Sequence, residues 1–290
     1  MTVAIMAAGD VRHHMTRQAS RRSVLAGAAG GVLCGVAGCL SRSRDVERTV
    51  TKTHTTEELR AVTISTTLSD IDVHSAPTDA IDIEGQKAAV SRDDLESIGL
   101  STTIDDGVLD ISVDRDDART VFGLRPDPVL DLSVAVPDRL EVRRIESRAG
   151  DLDVNDVVGN LQVTSETGAV SATAVEGIVS AATETGDLVV EDPASIDRLV
   201  TDTGDVDVAL SGIDDDATIE SSTGSIDLRV PDELDLTLEI TTETGEITVT
   251  DVEDLPEMAG DSLIEAVVGD GATRLEVSTE TGDVTVTGRE

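Results

Sequence analysis

Carboxylates in a regular order are the residues of this chain whose type and spacing come nearest to chemistry. Asp151, Asp187, Asp205, Glu246 and Asp283 each follow a glycine, and Glu166, Glu184, Asp202, Glu243 and Glu280 each stand two residues before one. Stacked in register they would form two rows of oxygen ligands along one edge, the donor type that Ca²⁺ or Mg²⁺ takes. The Gly-Gly-x-Gly-x-Asp pattern of calcium-binding β-rolls is absent, and a solvated acidic face accounts for the same residues, so we expect no metal site.

Other chemistries lack their parts. Of the four histidines, His13 and His14 lie near the N-terminus, and His54 and His74 have no cysteine or second histidine near them, which argues against a transition-metal centre. No Gly-x-Ser-x-Gly elbow occurs, and the regular region holds no histidine to serve a nucleophile as base. Carboxylate pairs are so abundant that their spacing says nothing about glycoside hydrolysis. Pectin-lyase-like solenoids use positively charged catalytic groups, and here Arg198, Arg229 and Arg274 are scattered over different repeat positions. We therefore expect a protein that is not an enzyme and carries no cofactor.

What positions the acids is a repeat, (Ser/Thr)-x-Thr-Gly-acid-aliphatic-x-aliphatic, centred on Gly150, Gly168, Gly186, Gly204, Gly224, Gly245 and Gly282. Two and four residues after each glycine stand Leu152/Val154, Val170/Ala172, Leu188/Val190, Val206/Val208, Ile226/Leu228, Ile247/Val249 and Val284/Val286. Three before stand Ser147, Ser165, Thr183, Thr201, Ser221, Thr242 and Thr279; five before, Ile145, Val163, Ala181, Leu199, Ile219, Ile240 and Val277. Alternation on both sides of a turn glycine reads as strand, bend, strand. The glycine spacings of 18, 18, 18, 20, 21 and 37 are those of a solenoid whose units bury their apolar faces against one another.

The fold class expected is all-β, a single-stranded parallel β-solenoid of about 18- to 21-residue coils, with the inward Ser/Thr column bonding from coil to coil. The alternative, a β-sandwich of short strands, gives no reason for one residue class to hold one offset seven times. The 37-residue interval places a degenerate coil or insertion around Val252 to Ala272. Val62, Ile64, Thr66, Ser69, Asp70, Ile71 and Val73 fit the template with Ser69 for glycine, and Gly107 with Leu109 and Ile111 fits it in part. Asp114 to Pro128, which contains Phe122, reads as a loop or partial cap.

Residues 1–38 read as an export signal: Arg21-Arg22 ahead of a weakly apolar run, Val24 to Gly38, resembles a twin-arginine signal. The end of the run, Val36-Ala37-Gly38-Cys39, resembles a lipobox, in which Cys39 becomes the lipidated first residue. About 15 apolar residues fall short of the roughly 20 that a spanning helix needs. Met15 makes a better start than Met1, and the polar stretch 39–58 reads as a tether ahead of the β domain, 59–290. Loss of 1–38 leaves one cysteine, hence no internal disulfide.

The full chain carries a net charge of −37, and 39–290 holds 18 basic against 58 acidic residues, net −40. With lysine only at Lys52 and Lys87, this is a composition suited to a salt-saturated cytoplasm, of haloarchaeal type, where a Debye length of about 3 Å at 1 M tames self-repulsion. Nucleic acid is excluded as a partner for want of a basic stripe. Without Trp or Tyr there are no stacking platforms for sugars or bases.

The run Leu130-Asp131-Leu132-Ser133-Val134-Ala135-Val136-Pro137, then Ser147 to Val154 and Thr183-Glu184-Thr185-Gly186-Asp187-Leu188, resembles the adhesin-type β-strand-repeat family, domains of unknown function. The resemblance covers about 59–290 and departs from the pattern at Ala169 and Ser225, where an acid is expected. It implies a cell-surface or envelope β-solenoid and supplies no catalytic residues. The expectation is thus a non-enzymatic lipoprotein, tethered through lipid on Cys39 to the outer face of the cytoplasmic membrane, with an extracellular or envelope partner. A sensory envelope protein and, further off, a polysaccharide-active enzyme are the alternatives.

Overall fold

The computed structural model describes residues 44–115, 126–231, 235–252, 255, 257–260 and 262–289. Arg21, Arg22, Cys39 and Phe122 lie outside the described residues. The strands are β1 Val46–Thr55, β2 Ala61–Ser65, β3 Ile71–Ala76, β4 Ala80–Ala89, β5 Ile98–Asp105, β6 Val108–Arg115 and β7 Val129–Pro137, with one short helix, α1 Arg92–Glu96, before β5. Then come β8 Glu141–Ala149, β9 Leu152–Asn155, β10 Leu161–Thr167, β11 Val170–Thr173, β12 Ile178–Thr185, β13 Leu188–Glu191, β14 Ser195–Thr203 and β15 Val206–Ala209. The last are β16 Ala217–Thr223, β17 Ile226–Pro231, β18 Leu236–Thr244, β19 Ile247–Thr250, β20 Met258–Ala259, β21 Leu263–Val268, β22 Thr273–Thr281 and β23 Val284–Arg289.

Each repeat glycine sits between two strands, and the two strands enter different sheets. A 12-stranded sheet runs β1-β4-β7-β3-β9-β11-β13-β15-β17-β23-β19-β20, and an 11-stranded sheet runs β21-β18-β22-β16-β14-β12-β10-β8-β2-β6-β5. Through the repeats the neighbours are parallel and template positions pair with themselves, as in Leu152↔Val170, Val170↔Leu188, Leu188↔Val206 and Val206↔Ile226. The chain is all-β and solenoid-like, and the sandwich alternative does not describe a stack of parallel neighbours.

The core follows the alternation. Every residue at minus five, minus three, plus two and plus four of the seven repeats is buried. Where two outward residues come in succession, Arg143-Arg144 and Asp197-Arg198, the strand shifts register by one and the alternation resumes, the behaviour of a β-bulge.

Three regions differ from the sequence reading. Val46–Thr55, inside the expected tether, is a strand paired along its length with β4; its Thr-Val-Thr-Lys-Thr-His-Thr run has the β-branched alternation of an edge strand, which polarity alone concealed. Gly107 is not a repeat bend. With Asp106 (φ 45°) it forms the two-residue turn of the β5–β6 hairpin. Leu109 and Ile111 consequently pair with Val62 and Ile64, on the strand before a bend. The Ser69 unit, by contrast, stacks as expected, β3 on β9 and β2 on β8.

The third difference is at the long interval. β20 and β21 within it fold back antiparallel on β19 and β18, and the Gly282 unit then lies between the Gly224 and Gly245 units. Stacking therefore follows sequence order from Gly150 to Gly224 and departs from it at the start as well, where β6 and β7 lie outside β2 and β3.

Candidate functional site

The most ordered constellation of polar groups is the column of bends. Each repeat glycine from Gly168 onward has a φ of +141° to +155°, and a Cβ placed on it would lie 1.9–2.1 Å from the carbonyl oxygen of the glycine stacked beneath. Close backbone approach, more than the turn itself, excludes any side chain there.

Five of the seven buried hydroxyls three residues before the glycines serve such carbonyls, whereas Ser147 Oγ donates to Ala149 O (3.2 Å) and Ser165 Oγ has no partner among the described residues. Thr183 Oγ1 donates to Gly168 O (3.2 Å), Thr201 to Gly186 O (3.0 Å), Ser221 Oγ to Gly204 O (3.1 Å), Thr279 to Gly224 O (3.0 Å) and Thr242 to Gly282 O (3.0 Å). The expected hydroxyl-to-hydroxyl column is thus replaced, at these five, by hydroxyl-to-carbonyl bonds, since a buried carbonyl is costly to leave unmet. Only at the irregular start does Thr66 donate to Ser147 Oγ (3.0 Å).

The acids after the glycines, with Asp70 and Asp131 stacked at the same position, also have a structural task. Asp131 Oδ1 accepts from Asp70 N (3.1 Å), Asp70 Oδ1 from Asp151 N (3.1 Å), and Asp151 Oδ1 from Ala169 N (3.0 Å). Further along, Asp187 Oδ1 accepts from Asp205 N (2.9 Å), Asp205 Oδ1 from Ser225 N (2.8 Å), and Asp283 Oδ1 from Glu246 N (2.9 Å). Each carboxylate caps a backbone N–H of the next unit, a charge-assisted bond that competes with metal ligation for the same oxygen. The series lapses at Ala169 and Ser225, the two positions where the repeat lacks its acid. Sequence periodicity located these acids; the next-unit N–H as their partner was missed, and only stacking reveals it.

A second corner, in four of the seven units, carries a residue in the left-handed region: Asp156 (φ 56°), Ala174 (φ 53°), Asp192 (φ 50°) and Asp251 (φ 56°). Asp192 is the best connected. Arg289 Nη1 (2.7 Å) and Ser211 Oγ (3.1 Å) both donate to its Oδ1, and the Arg289 bond, ahead of all other influences, holds its carboxyl below the ordinary aspartate range. Arg229 Nη2 joins Asp207 (2.6 Å) and Glu191 (3.4 Å) on the neighbouring ladder.

Away from the column, His74 Nδ1 meets Asp72 Oδ1 (2.8 Å), while His54 Nε2 (3.1 Å) and Lys52 Nζ (3.2 Å) share Thr102 Oγ1. Lys87 is buried and donates to Ile98 O; burial first, then Arg48, lower its pKa. Among the described residues no group of three or more His, Cys, Asp or Glu is placed to hold a metal ion, and no helix is long and apolar enough to cross a membrane. An open groove of about 470 Å³ on the outer face is lined by Arg143, Asn160, Gln162, Ser180, Asp197 and Asp216 among others. Within it Ser180 Oγ donates to Asp197 Oδ2 (2.9 Å), and no histidine is among the lining residues.

A family model described as Toastrack DUF4097 matches residues 131–287. No curated protein matches the chain. Among solved structures, a candidate cell adhesion protein from Clostridium sporogenes is 8% identical, with 84% of this chain and 100% of that chain covered at a TM-score of 0.40. A candidate adhesin from Bacteroides fragilis is 11% identical, 83% and 97% covered, TM-score 0.40. A candidate lipid-binding protein from Parabacteroides distasonis is 10% identical, 86% and 98% covered, TM-score 0.37.

Proposed function

The chain belongs to the Toastrack DUF4097 family, and from that premise and the bend column we propose that it is a non-enzymatic surface lipoprotein that presents an acidic β-solenoid for adhesion or envelope scaffolding. The observation that carries the reading is the use of the acids. Six of the carboxylates in the column bond backbone N–H groups of neighbouring units, so the regular acidic edge is built into the stack. Such an edge suits repeated weak contacts along its length better than one enclosed site.

The finer parts of the reading come from the sequence. The stack is a single-chain solenoid of 18- to 21-residue coils; Arg21-Arg22 directs folded export, and Cys39 carries the lipid that holds the protein at the outer face of the membrane. A haloarchaeal source fits the −37 charge and the two lysines. Crosslinking at the surface of intact cells, followed by identification of the attached proteins, tests the role. Recovery of this chain only from the cytoplasmic fraction, or joined only to cytoplasmic proteins, would overturn it. Cys39→Ser should release the protein to the medium or leave it unprocessed; normal membrane retention of that variant would remove the lipid anchor from the proposal.

A further inference from the structure

The unit formed by β22 and β23 fills a slot whose two walls precede it in the chain. β16 and β18 flank β22 in one sheet, and β17 and β19 flank β23 in the other. On the first wall Thr279 Oγ1 donates to Gly224 O (3.0 Å), and Gly224 N and Ile226 N donate to Thr281 O and Asp283 O (both 2.9 Å). On the second, Thr242 Oγ1 donates to Gly282 O (3.0 Å), Gly282 N to Thr244 O (2.9 Å), Val284 N to Glu246 O (3.0 Å), and Glu246 N to Asp283 Oδ1 (2.9 Å).

These are the contacts that consecutive units make elsewhere, for example Thr201 with Gly186 (3.0 Å) and Gly204 N with Thr223 O (2.9 Å). Every wall of the stack offers the same glycine carbonyl, N–H and aliphatic pair. The inserted unit is therefore recognised by the template and not by its place in the chain. The Gly224 and Gly245 units are also 21 residues apart, a spacing close to the 20 between the Gly204 and Gly224 units that do stack directly. Two walls that could close on each other are instead held apart by a unit that the chain supplies later, after β20 and β21.

We propose that β22–β23 is an exchangeable unit through which two copies of this chain join, each inserting its own β22 and β23 into the other's slot. The occupant is a second copy because this slot already fits this chain's own unit on both walls, with apolar Leu275, Val277, Val284 and Val286 buried there. The hinge is the Gly269-Asp270-Gly271 turn between β21 and β22, whose glycines have φ of 59° and 66°. Reciprocal insertion reproduces every bond of the single copy, so the two arrangements differ mainly in the turn and in the entropy of association.

The test uses the outward register pair Thr218↔Glu276, which faces across β16 and β22. Full-length chains with Cys34 and Cys39 changed to Ser, one with Thr218→Cys and one with Glu276→Cys, are tagged differently, co-expressed and oxidised in molar KCl. Exchange yields a covalent heterodimer, and Gln162→Cys in place of Thr218→Cys yields none. Both cysteines in one chain report that the pair is competent by forming an internal bridge in the monomer. If that bridge forms while the co-expressed pair gives no more heterodimer than the Gln162→Cys control, the proposal fails. It also fails if the unaltered chain stays monomeric by light scattering at every refolding concentration.

Discussion

At the scale of single residues, the acids that look like a metal ladder act as caps. Asp205→Ala should lose the bond to Ser225 N and lower stability by about 1 kcal/mol, whereas Asp205→Asn keeps an acceptor oxygen and should stay within a few tenths of the parent. Denaturant midpoints in molar KCl decide between the two. Ala169→Asp should gain a cap on the Asp187 unit and move the midpoint up; a fall in midpoint would show that the carboxylate repels its neighbours more than it bonds. Asp192 gives a pH prediction. Arg289 depresses its folded-state pKa, so the pair contributes stability above the unfolded aspartate value of about 3.9 that is lost as pH falls through the folded value. Arg289→Ala should therefore lower stability at neutral pH only slightly, because the pair is solvent-screened, and its difference from the parent should vanish as pH falls below the folded value.

At the scale of the unit, the bend tolerates no side chain and the opposite corner tolerates few. Gly186→Ala would put a Cβ 2.0 Å from Gly168 O and should prevent stacking on that side, read as loss of cooperative unfolding. Ala174 occupies the left-handed region where Asp156 and Asp192 stand in neighbouring units; Ala174→Asn should stabilise by about 0.5 kcal/mol, since Asn tolerates that conformation and Ala does not. Val206, buried between Leu188 and Ile226, gives the opposite sign: Val206→Asp should cost several kcal/mol by burying a carboxylate with no partner. Circular dichroism melts of the three variants separate these outcomes.

At the scale of the molecule, charge governs whether the stack exists. Carboxylates recur in every stretch of the repeats, and at 0.1 M salt a Debye length of about 10 Å lets neighbouring rows repel. The β signal should fall as KCl drops toward tens of millimolar and return in molar KCl. Millimolar Ca²⁺ should substitute poorly, because the column oxygens already accept N–H groups. Calorimetric titration in molar KCl checks this; saturation at a small whole number of Ca²⁺ per chain would replace the capping account with a metal one.

Alternation around seven glycines was enough, from sequence, to place Leu188, Val190, Thr183 and Ala181 and their counterparts inward, because a strand offers each residue only two faces and the core takes one. It also gave the bends, since nothing but glycine survives where backbones touch. Hidden from periodicity were the order of the units and the partners of the polar groups. The Gly245 and Gly282 units carry the same template, so either fits against Gly224, and the choice falls to β20, β21 and the turn at Gly269, whose antiparallel return makes room for the last unit. The same holds for Gly107, where an Asp-Gly hairpin imitates a bend, and for β1, whose threonines read as a tether until β4 lies beside them. A local pattern specifies which face a residue presents. Which surface it meets depends on contacts between segments far apart in the chain, and identical repeats leave that choice to the tertiary fold.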